Sequence, residues 1–133
     1  MRTVFADSFY FLSLWNPNDH AHSKAMAFTD GYREAFLTTD WIVTELADAL
    51  ARPPNRQRFL SLYRVLQHQK EFTIIPASRA LLEEGINLFE NRANKEWSLT
   101  DCISFVVMKK EGIDEALTGD HHFEQAGFVA LLK

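Results

Sequence analysis

Short apolar runs recur along this chain, and segments of helical length and mixed polarity separate them. Val4, Phe5 and Ala6 are continuous rather than alternating, as a strand buried on both faces requires, so Thr3 to Ala6 is predicted as a strand that stops at Asp7. Ala35 to Thr38, Phe72 to Ile75, Glu115 to Thr118 and Phe128 to Leu132 read the same way, the last at a sheet edge. Between them lie predicted helices. Phe9 to Trp15 is almost wholly apolar and is read as a buried helix, closed by the turn Asn16-Pro17-Asn18-Asp19. A second helix follows from His20 to Asp30. Asp40 is read as the N-cap of Trp41 to Ala51, with Pro53 as its stop. Phe59, Leu62, Tyr63 and Leu66 give Arg56 to Gln69 a helical period, and Ser78 opens a helix to Asn91. Leu99 to Lys110 is apolar on nearly every side, which predicts a buried helix.

Strands alternating with helices predict an α/β fold: a mostly parallel sheet of about five strands, flanked by helices in three layers. No repeat, linker or low-complexity stretch divides the chain, so one domain over residues 1–133 is expected. In open sheets of this kind, ligands sit beyond the carboxyl ends of the strands.

Composition narrows the picture further. The balance of 47% hydrophobic and 24% charged residues is ordinary for a water-soluble domain, and 11 Phe supply a bulky core. No stretch approaches the roughly 18 apolar residues needed to span a bilayer, and Asp7 comes too early for a signal peptide. A cytoplasmic protein with no membrane partner is expected. A single cysteine, Cys102, excludes an internal disulfide and a multi-thiolate zinc site. The formal net charge of −4 argues against nucleic-acid binding through bulk positive charge. It leaves a nuclease open, because a carboxylate cluster that holds divalent cations also lowers the formal charge.

Four acids carry the candidate chemistry. Asp7 follows the first strand, Glu45 lies early in the helix after the second, Asp101 opens the buried helix, and Asp120 follows the fourth strand. All four fall at the sheet end where this architecture builds sites. At roughly 5 Å and an effective dielectric of about 20, each like-charged pair repels by about 3 kcal/mol, so such a cluster must take up protons or cations. Oxygen donors without Cys or His select hard ions, Mg²⁺ or Mn²⁺, which suit phosphodiester chemistry. Each acid also has an ordinary explanation. Asp7 can cap a helix, Glu45 can share a solvated strip with Asp48, Asp101 fits the capping box Ser98-Leu99-Thr100-Asp101, and Asp120 can be a turn residue. Their joint placement carries the signal, not any one of them.

These residues resemble the PIN-domain family, specifically its VapC-like toxins. Val4-Phe5-Ala6-Asp7-Ser8 is similar to the family's opening motif, and Thr38 to Glu45 to its second-acid segment. Ser98-Leu99-Thr100-Asp101-Cys102 resembles its Ser/Thr-x-x-Asp helix start, and Ala116 to Phe123 its closing strand, acid and following Phe. The likeness runs essentially end to end. It implies endonucleolytic cleavage of RNA, with Asp7, Glu45, Asp101 and Asp120 as catalytic, metal-holding acids for Mg²⁺ or Mn²⁺. It implies a supporting role for Ser8, a homodimer, and a cognate antitoxin protein that neutralises a growth-arresting toxin. His121 and His122 stand where many members carry a further polar or acidic residue, and Phe9 where Asn or Asp is often found. The resemblance thus supports the four acids more firmly than a second metal position.

Other residues invite a role in RNA binding. Arg52, Arg56 and Arg58 can follow a phosphate backbone or form a solvated basic face. Trp97, just before the Asp101 helix, can stack an exposed base. His121 or His122 can contact a phosphate or donate a proton to the leaving oxygen, and both can also be solvated loop residues. Asp19, His20 and His22 are read as a surface helix start. Two rival functions stay open: a PIN-like module that binds RNA or protein without cutting, and a metal-dependent nuclease acting on structured DNA.

Overall fold

The computed structural model describes residues 1–133. Five strands, β1 (Thr3–Ala6), β2 (Ala35–Thr39), β3 (Phe72–Ile75), β4 (Glu115–Leu117) and β5 (Val129–Ala130), form one sheet in the order β3-β2-β1-β4-β5. Every pairing is parallel, so the expected mostly parallel sheet is wholly so. β1 is central: Val4 pairs with Phe36 and Phe5 with Leu37 on one side, and Phe5 with Ala116 and Ala6 with Leu117 on the other. Val4, Phe5 and Ala6 have no solvent exposure, which accounts for their unbroken apolar run. The chain builds the sheet outward from β1 in one direction through β2 and β3, then crosses to add β4 and β5. The reversal falls between β1 and β4, the point where such sheets open a crevice.

Seven helices cover the sheet: α1 (Ser8–Trp15), α2 (His22–Gly31), α3 (Asp40–Ala49), α4 (Pro53–His68), α5 (Arg79–Asn91), α6 (Leu99–Glu111) and α7 (His121–Gln125). α6 buries Cys102, Ile103, Phe105, Val107 and Met108, as its all-round apolar sequence predicts. It stops at Gly112, whose φ of 67° is the left-handed conformation that glycine adopts without cost. α5 lies against it so closely that a Cβ on Gly85 would come within 2.3 Å of Ile103 Cγ1.

Several boundaries differ from expectation for local reasons. Thr39, not Asp40, caps α3, accepting a bond from Ile42 N at 3.2 Å, while Asp40 reaches across to Ala77 N at 2.8 Å. Pro53 does not only end a helix; it begins α4, where its missing N–H is no loss. α2 starts at His22 rather than His20, because Asp19 folds back to accept from Ala21 N. α7 was not foreseen, and β5 is shorter than the Phe128 to Leu132 run.

Candidate active site

The strand ends and helix starts at the β1–β4 crevice bring the four acids together. Asp7 occupies the N-cap position of α1, yet its side chain makes no capping bond. It accepts instead from Thr118 Oγ1 at 2.8 Å. The capping explanation therefore fails for Asp7, whose carboxylate is held by Thr118 instead. Thr118 has no solvent exposure, and its Oγ1 also accepts from Asp120 N at 3.1 Å. One hydroxyl thus ties the end of β1 to the turn after β4.

Asp101 is the N3 residue of a complete capping box. It accepts from Ser98 N at 3.2 Å, and its own N–H donates to Ser98 Oγ at 3.0 Å. Here capping and site placement coexist in one side chain. Asp120 caps α7 through His122 N at 2.9 Å. Glu45 turns inward and accepts from Ser8 Oγ at 2.5 Å, whereas Asp48 is exposed, so the two do not share a solvated strip.

All four acids line one cleft of about 340 Å³ with Ser8, Phe9, Leu12, Glu96, Ser98 and His122. No lysine or arginine is among the lining residues. Asp7 is 6% exposed, and its carboxyl is pushed up to about 7. Burial is the main cause, with Glu45 and Asp101 adding repulsion, while the Thr118 hydrogen bond pulls the other way. Asp101 is also raised, first by burial and then by Asp120. Carboxylates gathered with so little balancing positive charge fit a divalent cation, and their oxygens fit a hard one.

The other sequence candidates lie elsewhere or are engaged otherwise. Trp97 is 4% exposed, donates Nε1–H to Gln125 Oε1 at 2.9 Å and meets Phe105 edge-to-face. Buried there, it belongs to the core and offers no face to a base. His121 is turned outward, with its side chain 62% exposed, and it is His122 that enters the cleft. Arg52, Arg56 and Arg58 are exposed on α4 and its lead-in, outside the cleft lining. Arg56 donates to Ala51 O and Arg58 lies over the Trp15 ring. Thr118 and Glu96 were missed by sequence reasoning. A hydroxyl closing an apolar strand was the available signal for Thr118; Glu96, in a loop with no periodicity, gave none.

A parallel sheet with a carboxylate-lined crevice at its switch point defines a class. The family model for the PIN domain matches residues 4–129, and the chain belongs to that family. A relative from Mycobacterium tuberculosis, the 23S rRNA-specific endonuclease VapC20, is 24% identical over 126 residues, 95% of each chain. The crystal structure of VapC20, described as a sarcin-ricin loop cleaving toxin, superposes with a TM-score of 0.86 at 23% identity, covering 95% of this chain and 96% of that one. FitAcB from Neisseria gonorrhoeae matches with a TM-score of 0.67 at 18% identity over 96% and 94% of the chains. No helix is long and apolar enough to cross a membrane.

Proposed function

We propose that this chain is a metal-dependent endoribonuclease and the toxin of a toxin–antitoxin pair. The observation that carries the reading is the convergence of Asp7, Glu45, Asp101 and Asp120 on one cleft, with Asp7 buried and released from helix capping. These four would hold the cation, Mg²⁺ or Mn²⁺. When bound, such an ion supplies a Lewis acid for the phosphate and lowers the pKa of water. The chain's own residues supply orientation. Thr118 fixes the Asp7 carboxylate, Ser8 fixes Glu45, and the Ser98 capping box fixes Asp101. Carboxylates fixed in this way would need no rearrangement to take up the cation. Phe9 and Leu12 give the cleft an apolar wall.

The substrate class follows from family membership and from the VapC20 relative, whose name specifies ribosomal RNA. A structured loop of ribosomal RNA is the first substrate to examine. A protein antitoxin and a homodimer in the cytoplasm complete the proposal, on the same family grounds.

The test compares wild type with Asp101→Asn after brief induction in a bacterial host, mapping new RNA 5′ ends across the transcriptome. Discrete ends produced only by the wild type are expected. Equal end maps, with both proteins folded and equally abundant, would refute the assignment.

A further inference from the structure

At the α7 end of the cleft, Asp120, His121 and His122 follow one another, and one donor atom from each lies within 4.8 Å of the others. His122 Nδ1 is 3.2 Å from Asp101 Oδ2 and 3.5 Å from Asp120 Oδ1, and His121 Nδ1 is 3.7 Å from Asp120 Oδ1. The two imidazole rings sit side by side, with centroids 4.5 Å apart. The contact with Asp101 is a hydrogen bond, whereas the two contacts with Asp120 are longer than the ~2.8 Å at which charge-assisted hydrogen bonds settle. The Asp120 contacts are close to the edge of a coordination tetrahedron. An ion that holds nitrogen and oxygen at about 2.0–2.1 Å keeps its ligands about 3.3–3.4 Å apart.

We propose that Asp120, His121 and His122, with water in the fourth position, form a mixed nitrogen–oxygen site for a zinc-class transition-metal ion at the rim of the acidic cleft. The donor set differs from the oxygen-only set in kind. Imidazole nitrogen suits Zn²⁺, Co²⁺ and Ni²⁺, whereas Mg²⁺ prefers oxygen and keeps its water. The two sets share Asp120. An ion in the mixed site therefore draws that carboxylate away from Asp7, Glu45 and Asp101, and zinc-class ions become antagonists of Mg²⁺ in the same cleft. All three ligands arrive with the turn after β4. Binding at this site does not depend on the ribonuclease reading.

The test uses the metal-stripped full chain in a large excess of Mg²⁺, with no RNA present. Zn²⁺ binding is measured by calorimetry, and Co²⁺ binding by visible absorption. Wild type is expected to take one equivalent of Zn²⁺ and to give the intense bands of four-coordinate Co²⁺. Altering a group that merely supports a metal ligand already costs ~10-fold in affinity, so His121→Ala and His122→Ala should each weaken Zn²⁺ at least that much and abolish the bands. His121 is mostly exposed, so its variant keeps the fold, which circular dichroism checks. Zn²⁺ binding unchanged in both variants would overturn the site, as would no Zn²⁺ binding in the presence of Mg²⁺. A weak six-coordinate Co²⁺ spectrum in the wild type would overturn it as well.

Discussion

Asp7 shows how one residue's surroundings separate two roles that its sequence position leaves equal. An Asp between a strand and a helix is usually a cap, and only the bond from Thr118 shows that this one is not. Its ionisation has a measurable sign. In the metal-free protein the folded pKa is about 7, against an ordinary value of 3.8. Below pH ~4 the carboxyl is protonated whether the chain is folded or not, and its burial carries no charge penalty. Between pH ~4 and ~7 the unfolded chain loses the proton while the folded chain keeps it, so stability falls as pH rises and levels off above ~7. The loss from Asp7 is on the order of 4 kcal/mol across that window, and Asp101 adds to it in the same direction. Asp7→Asn removes the charge and should melt well above wild type at pH 8 with a chelator present, and close to it at pH 4. Parallel melting curves across that range for the two proteins would show that Asp7 is not held under this strain.

At the scale of elements, long periodic or wholly apolar segments were legible and short polar ones were not. α6 announced itself because almost every position is apolar, and β1 because it is buried on both faces. α7 has only five residues and lies in a run whose polar members give no period. The direction of Trp97 was equally hidden. Aromatic residues serve cores and binding faces alike, and its place against Phe105 and Gln125 depends on how α6 and α7 meet. Arg52, Arg56 and Arg58 were visible as a charge group, but where α4 carries them relative to the cleft was not. The contact between α5 and α6 was also silent, since Gly85 in a helix reads as a mild defect until Ile103 is seen packed against it. Gly85→Ala raises intrinsic helix propensity, yet it forces that contact apart. A net destabilisation of about 1–3 kcal/mol is expected by urea unfolding. A gain in stability would mean that Ile103 moves aside freely.

For the whole molecule, topology explains why four weak signals became one cleft. Asp7 and Asp120 flank the point where the sheet reverses its direction of growth, and Glu45 and Asp101 enter on the helices beside it. The order of elements predicts that convergence, whereas the hydrogen bonds that aim each carboxylate depend on distances no sequence pattern carries. A cation that balances the cleft binds the folded state only. Mn²⁺ at a hundred times its dissociation constant should therefore stabilise the protein by about 2.7 kcal/mol. The melting temperature should rise by several degrees and fall back with a chelator. Asp7→Asn and Asp101→Asn should both blunt the rise, and a Mn²⁺ response unchanged in both would place the cation elsewhere.

The hydroxyl of Thr118, which joins the end of β1 to the turn after β4, bears on how the protein is made. During translation, Asp7 and Glu45 leave the ribosome early, as parts of a growing sheet whose central strand is paired on one side only. Asp101 emerges later without its place in the crevice, and Asp120 arrives after β4. A nascent chain thus carries an incomplete set of acids, and Asp7 has no Thr118 to aim it. The four acids meet only once β4 and the turn after it have joined the sheet, so a chain cut short before Thr118 lacks one acid of the cleft and the hydroxyl that aims another.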